Sequence, residues 1–402
     1  MFAVALTEPA VKHALVALGS LHKLYYRKDI FGSVDCCGEP AYVFALQQYN
    51  KAIKSLNHSL IDDGGNQRHV VLFTCVLFLC FEVLRGNESS ALVHLENGLQ
   101  ILQQSLEPAA PRALYITNPA RGATDEALWR MFTRIDLQAS SYMGTRLPLF
   151  VINPQPRPFF GNISEARSDL DSILGAAYSF NRDSARQYRY GSPAAIPSLV
   201  TLERQTLLSH LTTWLQNLNV LLNNGASNVP FKDICGAIVL KLEHQVAHIL
   251  LNTCLLPQEG FPYDAFHTTF EQVVSLAGCL QMTTASCPAE QSRFTFEIGV
   301  IPPLFMAASK CRDPVIRRRA VTLMRNAGRE GVWSGPIAAR VAERIMEIEE
   351  AEMVDGKISE IALVHRTTID PNLEKREVRI VCSRAKNAEF SEWETLTDTV
   401  RW

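Results

Sequence analysis

From Phe294 to Glu350 the chain reads FTFEIGVIPPLFMAASKCRDPVIRRRAVTLMRNAGREGVWSGPIAARVAERIMEIEE, and its punctuation leaves room only for short helices. Proline has no N–H and clashes with the preceding turn. Pro302-Pro303 is therefore expected to break the chain before a short apolar helix, Leu304 to Ser309. Lys310 to Pro314 forms the next break, with Asp313 as N-cap and Pro314 as first helical residue. Val315, Ala320, Leu323 and Met324 then give an apolar face, and Arg317, Arg318 and Arg319 read as a solvated face beside it, pairing with Glu343, Glu347 or Glu349. Gly328 and Gly331 are expected to end that helix. Ser334-Gly335-Pro336 opens another, with Ile337, Val341, Ile345 and Ile348 on one side.

The same helical spacing runs through the rest of the chain. Helices are predicted over 1–28, 41–60, 68–84, 88–106, 125–143, 163–180, 199–222, 232–256 and 263–280. The stretch 68–84 is apolar nearly all round, so it belongs in a core, and Gly86-Asn87 turns it into an αα-hairpin with 88–106. Loops are expected at 29–40, 107–122 and 148–158, and a flexible segment at 181–197. Beyond Asp355-Gly356 the composition turns β-like at Leu363 to Thr368 and Glu377 to Cys382, with Asp370-Pro371-Asn372 as the turn between them. Trp393 and Trp402 are expected to pack on the helices. The fold class is therefore all-α: a large multi-helix domain over 1–356, with a small C-terminal hairpin and tail over 357–402 packed on it.

Charge and cysteines narrow the function classes. A net charge of −2 gives no global field toward nucleic acid or an anionic membrane. The longest uncharged apolar run, Val70 to Phe81, is shorter than the ~20 residues that span a bilayer, so no membrane association is expected. Without a secretory signal the ten cysteines read as reduced thiols in an intracellular protein, nuclear or cytoplasmic. No CxxC pair occurs, so no zinc ligand set is legible, and no metal or cofactor is expected. There is no GxSxG, GxxxxGK[ST] or GxGxxG either, which removes support for hydrolase-elbow, phosphate-loop and Rossmann chemistry.

Three clusters remain as candidate sites. Glu82 and Arg85 lie in an otherwise apolar helix, opposite His94, Glu96 and Asn97 on its return partner. A charge there must be paired, so the group is either a structural network (Glu82–Arg85 or Arg85–Glu96) or the polar lining of a small-molecule site. Arg134, Asp136 and Arg146 pose the same choice. His244 and His248, at i and i+4 in EHQVAH, share a helix face; Gln245 stands where a zincin would have glutamate.

Several segments carry a resemblance. PAVKHALVALGSLHK at 9–23, ALQQYNKAIKSL at 45–56, VLFLCFEVLRGNESSALVHLENGLQIL at 76–102, FTRIDLQASSYMGTR at 132–146, and the IPPLF, KCRDPVIRRRA and EGVWSGPIAARVAERIMEIEE runs occur in an order that resembles the fungal-specific transcription factor domain. That is the helical regulatory region of fungal zinc binuclear-cluster regulators, here of the secondary-metabolism type, and the likeness covers roughly residues 9 to 380. It implies a nuclear, transcription-associated role. The six thiolates of the family's DNA-reading module have no counterpart in these cysteines, so direct DNA contact from this chain is not expected. Two functions follow. One is a regulator that binds a small hydrophobic metabolite, a partner protein or a second copy of itself, with Glu82, Arg85, His94, Arg134, Asp136 and Arg146 as ligand-binding residues. The other is a cofactor-independent pathway enzyme, a cyclase, isomerase or dehydratase, with His244 and His248 as acid/base groups and Arg85 or Arg146 as their anion partner.

Overall fold

A computed structural model describes residues 7–28, 39–62, 68–104, 123–142, 146–149, 151, 153–183, 185–188, 195–224, 230–255, 263–285, 294–295, 297–351, 353, 358–372, 375, 377–387 and 392–401. Residues 29–38 of the expected loop 29–40, the expected loop 107–122, seven residues of the expected flexible segment (184 and 189–194) and Trp402 lie outside them. The chain divides into two compact units, residues 1–139 with 373–376, and residues 140–372 with 377–402.

The first unit is helical. It holds α1 (Pro9–Lys28), α2 (Pro40–Asp62), α3 (Arg68–Arg85), α4 (Glu88–Gln104) and most of α5 (Ala123–Tyr142). α3 is its centre: thirteen of its residues are buried, from Val70 to Leu84. The hairpin expected at Gly86-Asn87 is present and closes by a Schellman pattern. Gly86 takes φ 77°, its N–H bonds the carbonyl of Val83, and the N–H of Asn87 reaches the carbonyl of Glu82 at 2.8 Å. Asn87 then caps α4, its side-chain oxygen accepting from the N–H of Ser90. Two residues thus end one helix and start the next. Gly98 of α4 is required by packing, because a Cβ there would fall 2.1 Å from the ring of the buried Phe132 on α5.

The second unit contains α6 (Ile163–Arg182), α7 (Ser198–Asn224), α8 (Phe231–Thr253), α9 (His267–Ala285), α10 (Ile301–Lys310), α11 (Pro314–Asn326) and α12 (Gly335–Glu350). α8 is long and apolar enough to cross a membrane, the single such helix among the described residues. Here it is a core helix, with Leu240, Leu242, Ala247, Ile249 and Leu251 buried. One continuous core joins α8 to α12 through Leu242, Phe270, Val274, Leu304, Ala320 and Met324.

The punctuated stretch folds largely as its residues dictate, with three differences. Pro302 and Pro303 do not precede α10 but sit in its first turn, where a missing N–H costs nothing. α11 ends at Asn326 on an extended Ala327; Gly331, at φ 54°, instead turns the short strands β2 (Arg329–Glu330) and β3 (Trp333–Ser334), which form a small sheet with β1 (Phe294–Thr295). Val315 is exposed, and the buried face of α11 is Ile316, Arg317, Ala320, Val321 and Met324, one position round from the expected one. The cap is as expected: Asp313 accepts from the N–H groups of Val315 and Ile316 at 2.8 and 3.0 Å. Asp313→Ala is expected to cost about 1 kcal/mol, read as a shift of the denaturant midpoint at unchanged slope.

The C-terminal hairpin is present and gains a third strand. β4 (Val364–Asn372), β5 (Glu377–Ala385) and β6 (Trp393–Arg401) form an antiparallel sheet in that order. Asp370-Pro371-Asn372 is strand, paired to Glu377–Arg379, so the reversal falls beyond Asn372. One face, with Val364, Val378, Ile380 and Cys382, buries Val341 and Ile345 of α12. Trp393 is in β6 and meets the ring of His365 edge-on at 5.1 Å.

Candidate functional site

Glu82 and Arg85 sit one helical turn apart in the last turn of α3. Glu82 is 3% exposed, and both its oxygens accept from Nη1 of Arg85 at 3.1 and 3.0 Å. Nε of Arg85 donates to the hydroxyl of Tyr42 at 3.2 Å. Tyr49, one heptad further along α2, lies 3.0 Å from Nε2 of His94 and feels the charge of Glu82. The result is two bonded sets side by side, His94–Tyr49 and Glu82–Arg85–Tyr42, drawn from three helices. An isolated carboxylate at this depth would be costly, and Arg85 supplies it with charge and donors.

The electrostatics are consistent with that bonding. Burial, then the charge of Glu82, push the Tyr49 phenol far above its ordinary range, so it stays an O–H donor. Burial lowers His94, so its imidazole is neutral at pH 7. Tyr49 is fixed by its ring too, stacked on Phe81 at 4.5 Å and edge-on to Phe78 at 4.7 Å. Arg85 keeps a quarter of its side chain exposed, and its guanidinium lies over Phe81. The solvent side of the group is thus cationic and hydrogen-bonding, and its buried side is anionic and locked. Tyr42 and Tyr49 went unnoticed in the sequence. Their signal was the seven-residue spacing of two tyrosines on one helix face, since a buried hydroxyl needs a partner.

Of the other candidates, Glu96 and Asn97 are exposed, and the pairing realised is Glu82–Arg85. Arg134 is half-buried on α5, and Asp136 is 1% exposed. Arg146 belongs to the second unit. Its Nη1 donates to the Ser140 hydroxyl at 3.1 Å, and Arg182 donates to the Ser140 carbonyl. Among the described residues, no three His, Cys, Asp or Glu side chains are grouped to hold a metal ion.

His244 and His248 do share a face, within a column of rings. His244 stacks on the fully buried Trp214 at 5.5 Å and on His248 at 6.2 Å, and Phe266 meets His248 edge-on at 6.0 Å. Trp214 donates to the carbonyl of Ala166 and His244 Nε2 donates to that of Leu211 at 3.1 Å, which fixes the His244 tautomer. Burial lowers His244 to about 4. The unfolded chain therefore takes up the proton first, and this contribution to stability is complete above about pH 6.5 and is lost as pH falls toward 4. The stability gap between the native protein and His244→Phe should shrink by about 3 kcal/mol over that window in urea titrations at stepped pH. A pH-independent gap would remove the buried neutral imidazole from the account.

The sequence model of the family described as "Fungal specific transcription factor domain" matches residues 1–345. The aspercryptin biosynthesis cluster-specific transcription regulator atnN of Emericella nidulans is 23% identical over an alignment that covers 86% of this chain and 69% of that protein. Transcription regulator lscL of Purpureocillium lilacinum is 29% identical over 25% of this chain and 24% of its own length. No solved structure gives a significant match.

Proposed function

The chain belongs to the fungal specific transcription factor domain family, and from that premise we propose that it regulates transcription of a fungal secondary-metabolite gene cluster, acting in the nucleus through what its helical units bind. The single observation that carries this is the extent of the match: 86% of the chain aligns with a regulator whose name states that it serves one biosynthesis cluster. The lack of any CxxC spacing in this sequence favours a reading in which these helical units recognise an effector or a partner. The recognition site is the group formed by Glu82, Arg85 and His94 with Tyr42 and Tyr49. Its quarter-exposed Arg85 and neutral His94 offer directional hydrogen bonds beside aromatic rings, as an oxygenated, largely apolar metabolite requires.

Deleting the gene and measuring transcripts of the neighbouring biosynthetic genes together with extracted metabolites tests the reading. Loss of the transcripts is the expected result. Unchanged transcripts with one intermediate accumulating would overturn it in favour of chemistry on the helical domain. Arg85→Met, which leaves Glu82 without its cation, is the matching point variant. It should lose the transcriptional response and also 2–3 kcal/mol or so of stability of the first unit.

A further inference from the structure

The two outer strands of the C-terminal sheet are protected very differently. β4 is blunted: its register shifts between Val364 and Arg366, it contains Pro371, its Val364 N–H bonds Glu349, and its Val364 and His365 carbonyls accept from Lys310. β6 lacks the register shift and the proline. It pairs with β5 without interruption from Trp393 opposite Ala385 to Arg401 opposite Glu377, and its nine residues include no proline, glycine or lysine. No described strand lies beyond it. The N–H of Thr399 is met by its neighbour's side chain, Oδ1 of Asp398 at 2.7 Å, which places the amide of Thr399, and with it those of Thr395 and Thr397, on the edge away from β5.

We propose that this edge pairs antiparallel with β6 of a second copy of the chain, about a two-fold axis through Thr397. The strand is palindromic in the sense this needs. Trp393, Thr395, Thr397, Thr399 and Arg401 share the face turned away from α12, and Thr395, Thr397, Thr399 and Arg401 are exposed. In that register Thr397 faces its own copy, Thr395 faces Thr399, and Arg401 lies beside Trp393. Threonine pairs and an arginine over an indole are favourable neighbours across strands. On the other face Glu394 falls opposite Val400 and Leu396 opposite Asp398, so no like charges meet. The edge carbonyl of the second copy replaces Asp398 on the Thr399 amide, and Arg344 retains the Asp398 carboxylate. Self-pairing of this kind is isologous and closes as a dimer. A nine-residue edge is a small interface, so the pair is weak and forms in the micromolar range.

Light scattering on the purified protein, from low to high micromolar concentration, tests this. The mass should climb from one copy toward two. Thr397→Lys sets two ammonium groups against each other on the axis and should hold the mass at one copy at every concentration, with circular dichroism and thermal midpoint unchanged. Thr395→Lys is the second variant and should read the same if Thr397→Lys fails to fold. A one-copy mass throughout for the native protein, or a dimer that tolerates the lysines, overturns the proposal.

Discussion

Replacing Arg317 by alanine is expected to destabilise the second unit by about 4 kcal/mol, the largest loss from any single side chain outside the apolar core. Arg317 was expected on a solvated face; it is 0% exposed and joins four elements. Its Nε donates to the carbonyl of Ala308 at 2.8 Å, one of the last carbonyls of α10, which have no partner within the helix. Its Nη2 donates to Glu349 of α12 at 2.5 Å, and the other oxygen of Glu349 accepts from the Val364 N–H of β4 at 2.8 Å. Burial pushes Glu349 up, and Arg317 and the Val364 N–H pull it back. Removing the arginine leaves a buried acid beside an orphaned carbonyl, and both penalties fall on the folded state alone. Replacing both Arg317 and Glu349 with apolar residues of similar volume should recover most of the loss, because the pair's own desolvation disappears with it. A double-mutant cycle in denaturant separates the terms, and Arg317→Lys should rescue poorly, having no planar fork to reach two acceptors. A single-variant loss under about 1 kcal/mol would mean that the ion pair is dispensable.

The contrast between Arg317 and Asp313 marks what the sequence could and could not tell. Asp313-Pro314 is a local signal: the cap bonds amides two and three residues on, and the structure has it as expected. The Gly86-Asn87 reversal and the apolar α3 were legible for the same reason, since turn chemistry and all-round hydrophobicity need no knowledge of neighbours. For Arg317 the expected pairing with Glu349 is present, but the exposure is not: RRR looks like solvent-facing charge, and nothing local shows that the ion pair formed thirty-two residues on is buried. The boundary at Pro302-Pro303 moved by the same logic. Prolines are excluded from helix interiors but not from a first turn, and what begins that turn lies elsewhere in the chain. In the candidate site Glu82, Arg85 and His94 could be picked out because charge inside an apolar helix stands out. Tyr42 and Tyr49, more than forty residues from the groups they bond, offered only their seven-residue spacing, because tyrosine is ordinary on a half-buried face until its hydroxyl is seen to meet something.

Glu330→Ala should cost nearly as much as Arg317→Ala, about 3 kcal/mol, by uncapping α10 from a distance. α10 has no side-chain cap of its own. Pro302 and Pro303 carry no N–H, and Leu304 already bonds the carbonyl of Val300, so the donors left over are those of Gly299, Val300 and Ile301. Glu330 takes all three, at 3.0, 2.9 and 2.9 Å. The carboxylate also meets the positive end of the helix. The fit is close: a Cβ on Gly299 would come within 2.5 Å of Glu330 Oε1. Burial pushes the Glu330 carboxyl up to about 7, and the three N–H groups keep it from rising further. Because that lies above the unfolded value of 4.5, the proton-linked part of its stability is full below pH 4.5 and is lost as pH rises through 7. Glu330→Gln offers one acceptor instead of two and cannot titrate. It should cost less than alanine, and its deficit should narrow between about pH 4.5 and 7, opposite in sense to the His244 effect. Hydrogen exchange at Gly299, Val300 and Ile301 reads the cap directly, since their amides should lose protection in the alanine variant before the rest of α10 does. Undiminished protection there would show that the donors have another partner and that the carboxylate is a bystander.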